Sequence, residues 1–277
     1  MKLFISADME GTAGVCSWAQ VDPANVSEYP VYRRYMIREL AAAIEGARAA
    51  EACDVTIRDS HWNQTNVLWD ELPADVRAIT GAPSPWSMND GIDASFGGAF
   101  FTGYHGAIGA ENATLAHTYS PDSIYSVSVN GVRCSEAILN AAMLGYHGVP
   151  LLLVTGDRTI VEETTRMMPW VTGAIVEESI GYYAVNSLAP AAARALIRDR
   201  AQTAIAGAKD ARPFTFEPPF ELVIETAHTG NADFIELLPG FERLSGRTLR
   251  YACDDYALAF RAFLTSMRLG GAANAPA

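Results

Sequence analysis

The sequence predicts an α/β fold: a mainly parallel sheet with flanking helices that carries a metal site, plus a smaller α/β C-terminal portion. Three observations carry this. Short apolar runs end in polar residues at Asp8, at Ser60-His61 and at His105, helical stretches separate them, and the pattern restarts beyond Ser179. At about 150 residues per domain, a chain of 277 residues sits between one and two domains. The expected division lies near residue 185, with a metal-binding catalytic portion over 1–185 and a smaller α/β portion over 186–277.

Lys2 to Asp8 reads as a short buried strand. A long helix follows, roughly Tyr32 to Ala52, because Met36, Leu40, Ile44 and Ala47 recur at helical spacing while Arg33, Arg34, Arg38, Glu39 and Arg48 populate other faces. Asp54 to Asp59 is a second strand, which completes a βαβ rhythm. Gly97 to Tyr104 is another apolar stretch, closing on His105. Ser123 to Val129 alternates and then turns at Asn130-Gly131, a hairpin dipeptide because both residues tolerate positive φ.

A helix from about Ser135 to Leu144 stops at Gly145, Pro150 to Thr155 is a buried strand, and Asp157 caps a helix reaching about Met168. Ala189 to Ala206 is Ala-rich and helical, and Phe220 to Thr226 is a strand. Ser245-Gly246 turns the chain into a strand at Thr248 to Tyr251. Asp254 or Asp255 caps a last helix whose end at Arg268 suits the dipole, and Gly270 to Ala277 is expected to fray.

Composition excludes several function classes. Twenty basic against 32 acidic residues leave a formal charge of −12, and no Lys/Arg cluster is present to track phosphates, so nucleic acid is not an expected partner. The acidity suits a soluble protein that holds cations. No apolar run approaches the roughly 20 residues of a membrane span. The opening run is interrupted by Asp8 and Glu10, unlike a secretory segment. Cys16, Cys53, Cys134 and Cys253 form no CxxC pair, which predicts reduced thiols and a cytoplasmic location.

Asp8 and Glu10 are two apart, just past the first strand, so in extended backbone they face the same way. Two carboxylates at the carboxyl end of a parallel strand repel one another, and a cation between them relieves that cost. The competing reading puts Glu10 in a solvated loop. His61 and His105 end two further strands, and parallel strands end on a common edge. Two imidazoles with two carboxylates suit zinc or a similar borderline ion better than calcium.

Glu136 opens a helix, where the dipole alone would favour it. His117 is either a proton carrier near the site or structural. His147 fits a helix C-terminus, and His228 has no assignment. Gly11-Thr12-Ala13-Gly14 lacks the spacing and the lysine of a nucleotide loop.

Ser6-Ala7-Asp8-Met9-Glu10-Gly11 matches the SxDxEG opening of the zinc-dependent D-aminopeptidases of the bacterial dipeptide-transport operon. Asp59-Ser60-His61, Trp86-Ser87-Met88-Asn89-Asp90-Gly91, Gly103-Tyr104-His105, a histidine about a dozen residues on, and Glu136-Ala137-Ile138-Leu139-Asn140-Ala141 also resemble that family, in order. The similarity runs nearly the whole chain and is densest before residue 160.

The resemblance implies a site of two zinc ions per subunit. Asp8 would bridge both, Glu10 and His105 would complete one position, His61 and Glu136 the other, and His117 would be the catalytic histidine. It also implies a homodecamer of two stacked pentameric rings with active sites facing an inner chamber. The segment Ile108 to Asn112 is one residue longer than the family pattern, and Cys134-Ser135 before Glu136 departs from it.

The function expected is removal of N-terminal residues from short peptides, including peptides that begin with D-amino acids. Two alternatives stand beside it: a dinuclear-metal phosphohydrolase, and a non-catalytic metal- or small-ligand-binding protein. Against the phosphohydrolase, no basic clamp stands near the motifs, Arg58 and Arg133 being the nearest candidates.

Overall fold

The computed structural model describes residues 1–50, 52 and 54–274. The first half of the chain runs β1 (Lys2–Ala7), α1 (Trp18–Val21), α2 (Tyr29–Ala49), β2 (Asp54–Asp59), β3 (Arg77–Ile79), β4 (Gly98–Tyr104), β5 (Ile124–Val129) and β6 (Val132–Arg133). Then come α3 (Glu136–Tyr146), β7 (Leu151–Asp157), α4 (Arg158–Met167), β8 (Thr172–Gly181), β9 (Ala184–Ser187) and α5 (Pro190–Ala206). The chain closes with β10 (Phe220–Thr226), α6 (Thr229–Ile235), β11 (Phe241–Arg243), β12 (Thr248–Cys253) and α7 (Tyr256–Gly271).

The larger sheet has the order β3-β2-β1-β4-β7-β8-β9, parallel throughout except for the β8–β9 pair. β4 and β7 are buried along their whole lengths, as expected of strands covered on both faces. Alternation along β1 divides the core. Leu3 and Ile5 join the cluster beneath α2 and α5, whereas Phe4 joins the one shared with α3, α7 and the second sheet. That second sheet is antiparallel, in the order β11-β12-β10-β5-β6.

The division expected near residue 185 falls inside β9. β5 and β6, from earlier in the chain, build the second sheet, while α5, from later, shares a core with α2. Asn130 and Gly131 adopt the positive φ values that a tight β5–β6 turn requires, 51° and 77°.

Several helix boundaries differ from expectation: α2 ends at Ala49 rather than near Ala52, and α3 continues through Gly145 to Tyr146. α2 starts three residues early, because Pro30 fits the first turn, where no N–H is needed. α7 runs past Arg268 to Gly271, capped at its start by Asp255. Gly270 is therefore not the start of a frayed tail: it is buried, and its carbonyl accepts from Asn231 Nδ2 at 3.0 Å. Residues 275–277 of that expected tail, and Cys53, lie outside the described residues. No helix among the described residues is long and apolar enough to cross a membrane.

Two buried carboxyl groups hold the loop that follows Glu10. Glu39 of α2 accepts from the Ala13 amide at 3.0 Å, and Glu177 of β8 accepts from the Gly14 amide at 3.1 Å. Each has a second oxygen without a partner. Burial pushes Glu39 from 4.5 up to about 8 and Glu177 up to about 9. A folded carboxyl that keeps its proton while the unfolded chain releases it loses stability as pH rises from about 4.5, until the folded group ionises near 8. Glu39→Gln stays neutral throughout. It is expected to change Tm little near pH ~5 and to raise it by several degrees near pH ~8. Calorimetry at the two pH values checks this, and an equal shift at both would refute a buried protonated Glu39.

Candidate metal centre

β2, β1 and β4 lie side by side and run the same way, so their carboxyl ends share one edge. Asp8 follows β1, His61 follows β2 and His105 follows β4 directly. Beyond the strands the backbone stays stitched together. Ser60 N donates to Ala7 O, Asp8 N to Thr102 O and Gly11 N to Gly103 O, each at 2.8 Å. Only glycines allow so close an approach. A Cβ at Gly11 would lie 1.8 Å from the Tyr104 carbonyl oxygen, and one at Gly103, whose φ is +69°, would lie 2.2 Å from that of Asp8.

The structure brings all six sequence-predicted residues together. Asp8, Glu10, His61, His105, Glu136 and His117 are each buried. His61 Nδ1 lies 3.0 Å from Glu10 Oε2 and 3.4 Å from Asp8 Oδ1. His105 Nε2 lies 3.6 Å from Asp8 Oδ2 and 3.4 Å from Glu136 Oε1. His117 Nε2 lies 3.8 Å from Glu10 Oε1 and 3.6 Å from Glu136 Oε1. The His105 and His117 rings stack with centroids 4.0 Å apart.

Backbone carbonyls settle the imidazole tautomers, since a carbonyl only accepts. His61 Nε2 donates to Val21 O at 2.7 Å, His105 Nδ1 to Gly106 O at 3.1 Å and His117 Nδ1 to Leu115 O at 2.8 Å. In each neutral ring the remaining lone pair therefore faces carboxylate oxygens. A lone pair against a carboxylate is repulsive, and His105 Nε2 is buried with no hydrogen-bond partner. Three imidazole lone pairs and three carboxylates aimed into one volume fit divalent cations. Backbone carbonyls on the far nitrogens are the usual partners that orient metal-ligating histidines.

The donor atoms have the required spacing in two groups. Those of Asp8, Glu10 and His105 lie within 4.8 Å of one another, and so do those of His105, His117 and Glu136. His61 makes its contacts with Glu10 and Asp8.

The buried carboxylates favour positive charge in their midst, and protons can supply it. Burial, then the Glu10 charge, pushes Asp8 up to about 8. Burial opposes a charged His105, yet Glu136 and Asp8 outweigh it and lift the ring to about 10. Burial and the neighbouring His105 hold His117 below its ordinary value.

The contacts that support the cluster were not legible in sequence, although most of their residues lie in the quoted motifs. Ser6 Oγ contacts Ser60 Oγ at 2.6 Å and Tyr104 Oη at 2.8 Å, beneath the cluster. Asn140 Oδ1 accepts from Asn89 Nδ2 at 2.6 Å and from Tyr119 Oη at 2.7 Å, which joins the Trp86–Gly91 and Glu136–Ala141 motifs. Glu136 accepts from the Tyr119 amide at 2.7 Å, and Ser135 caps α3 by accepting from Ile138 N at 3.3 Å. Asp59, of the Asp-Ser-His motif, holds the loop after His61 by accepting from Val67 N at 2.9 Å and Asn66 Nδ2 at 2.8 Å. Leu115 and Tyr119 flank His117 with positive φ, 48° and 61°, backbone strain of the kind found at functional sites. His147 caps the end of α3 and His228 the start of α6, where its Nε2 meets Asn274.

Above the cluster opens a cavity of about 650 Å³, with Trp18, Trp62, Tyr182 and Arg268 in its walls. Aromatic and charged side chains around a buried acid–imidazole floor describe a ligand site rather than a closed structural metal.

Comparison with known proteins places this geometry. The chain is 32% identical over 273 residues to a D-aminopeptidase of Bacillus subtilis (strain 168), covering 97% of each. Its fold superimposes on the Zn-dependent D-aminopeptidase DppA from Bacillus subtilis, a self-compartmentalizing protease, with a TM-score of 0.94 and 31% identity over 98% of both chains. The D-aminopeptidase profile, peptidase M55, matches residues 1–265. With the SxDxEG residues, the strand-end histidines and Glu136 gathered at one sheet edge, the chain belongs to the D-aminopeptidase family.

Proposed function

We propose that this chain is a zinc-dependent D-aminopeptidase that removes the N-terminal residue of short peptides at the cluster of Asp8, Glu10, His61, His105, Glu136 and His117. The observation that carries the reading is the set of three imidazoles, each tied to a backbone carbonyl through one nitrogen and turned on buried carboxylates through the other. Family membership favours this activity over a phosphohydrolase or a non-catalytic binding protein.

Two ions per subunit are proposed. Asp8 would be shared, since its two oxygens face different imidazoles, Oδ1 towards His61 and Oδ2 towards His105. Following the family resemblance, Glu10 and His105 would complete one position, and His61 and Glu136 the other; the contacts of His61 are with Glu10 and Asp8. Bound zinc supplies Lewis-acid polarisation of a carbonyl and acidifies water.

The chain's own groups do the rest. The acidic floor attracts the peptide's ammonium end, and the aromatic walls formed by Trp18, Trp62 and Tyr182 exclude water around it. His117 keeps Nδ1 on Leu115 O, so Nε2 is free to carry a proton to the departing amine or to steady developing negative charge.

The test is metal counting followed by a panel of L- and D-aminoacyl anilides and a phosphate ester. Cleavage of D-aminoacyl anilide is expected, lost on chelation and restored by zinc, with about two equivalents per chain. Turnover of the phosphate ester alone would overturn the reading.

A ring-based decamer is proposed alongside, supported by the self-compartmentalizing description of the relative and by outward apolar side chains such as Ile180 and Leu237. Light scattering on the same preparation should report about ten times the chain mass of 29.8 kDa, and a clean monomer or dimer overturns the assembly alone.

A further inference from the structure

A second cavity, of about 310 Å³, adjoins the one above the metal cluster, and Gln64, Ser87, Met267 and Arg268 belong to the walls of both. Their chemistry is opposite. The first has the carboxylates of Asp8, Glu10 and Glu136 in its floor. The second is lined by Arg261 and Arg268 and, among the described residues, by no carboxylate. These two arginines are seven residues apart on α7, two turns along one face. Arg261 lies over the Trp86 ring, 5.8 Å from its centroid. No hydrogen bond, ion pair or ring contact engages Arg268 among the described residues.

The lining contributed by Gln64, Ser84 and Ser87 is polarised to donate. Arg58 lies fully buried behind it and donates to Ser87 O at 2.7 Å, to Ser84 Oγ at 3.0 Å and to Gln64 Oε1. With its oxygen accepting from Arg58, the Ser84 hydroxyl has its hydrogen free to donate elsewhere. Ser87 Oγ likewise accepts from Gln64 Nε2 at 3.2 Å, which leaves its O–H free. Arg58 Nη1 has no hydrogen-bond partner, while Nη2 lies 3.9 Å from Asp90 Oδ2, so this guanidinium is paired and acts by orienting the wall. Two exposed guanidiniums in one cavity with two hydroxyls held by Arg58 and Gln64 have the chemistry of an anion receptor. In a chain of net charge −12, such a pocket is a local exception that draws carboxylates the rest of the surface repels.

We propose that this pocket receives the C-terminal carboxylate of a short peptide whose amino end lies at the metal cluster. The enzyme would thereby select short peptides with a free C-terminus. This rests on the aminopeptidase reading above, since it takes the amino end to be the end processed.

The experiment compares Arg268→Gln with wild type, both zinc-loaded, on three substrates. These are D-alanyl-alanine as the free acid, the same dipeptide as its C-terminal amide, and D-alanyl-aspartate with only its terminal carboxyl amidated. The variant is expected to lower the acid-to-amide ratio of kcat/KM by about 10- to 100-fold, chiefly through KM, as for loss of a charge-assisted hydrogen bond. Arg268→Lys should recover part of the ratio. Calorimetry with N-acetyl-alanyl-alanine, which has no free amine to be processed, should show the same weakening without turnover.

Equal losses on acid and amide overturn this inference and leave the aminopeptidase reading intact. A loss confined to the aspartyl amide overturns it in favour of an acidic side-chain pocket. If wild type cleaves neither dipeptide, the aminopeptidase reading fails, and the inference fails with it.

Discussion

Asp8→Asn is expected to reduce metal occupancy towards none, with activity lost and Tm lowered, because a bound ion stabilises the fold by mass action. Asp8 is the carboxylate that meets both strand-end imidazoles, with Oδ1 3.4 Å from His61 Nδ1 and Oδ2 3.6 Å from His105 Nε2. An amide keeps the shape but drops the charge that offsets two dications. Glu10→Gln should behave differently and retain about one equivalent, because the Asp8, His61, His105 and Glu136 donors remain. Both variants need dialysis against the same buffered zinc and elemental analysis. Equal occupancy in the two would mean that Asp8 is no special bridge.

His117→Ala is expected to lower kcat by roughly 10²–10⁴-fold while metal content stays intact, the range typical of acid–base catalysis. The ring is fixed by its bond to Leu115 O and by stacking on His105, and it lines the cavity, so substrate can reach Nε2. His117 Nε2 also lies with His105 and Glu136 in a metal-sized group. Elemental analysis beside kinetics on one preparation therefore decides its role. Loss of metal would make it a ligand. Lost stability with near-normal activity per folded molecule would make it structural.

Most of the large sheet was legible because its signals are local. A strand covered on both faces reads as an apolar run, and the run's polar end marks where a site can be built. Those two features mark Asp8, His61 and His105 in the sequence. Less was legible where short strands carry little pattern: β3, β9 and β11 span three, four and three residues. Glu136 stood between a helix-dipole reading and a ligand reading, and both apply to where it sits: it opens α3 and its Oε1 faces His105 and His117.

Sequence alone determined the alternation of strand and helix, the Asn130-Gly131 turn, the cap at Asp157, and which polar residues end the central strands. Each depends on neighbours a few positions apart. Tertiary structure decided what depends on residues far apart in the chain. It joined β5 and β6 to β10 and β12 in one sheet through the β5–β10 pair, laid α5 against the same core as α2, and placed Arg268 of α7 at the cavity above the metal cluster. It also chose the imidazole tautomers, since the carbonyls that do so belong to backbone placed by packing, Val21 being 40 residues from His61. Strand order and the direction of a lone pair follow from which surfaces bury one another, and no local pattern encodes that.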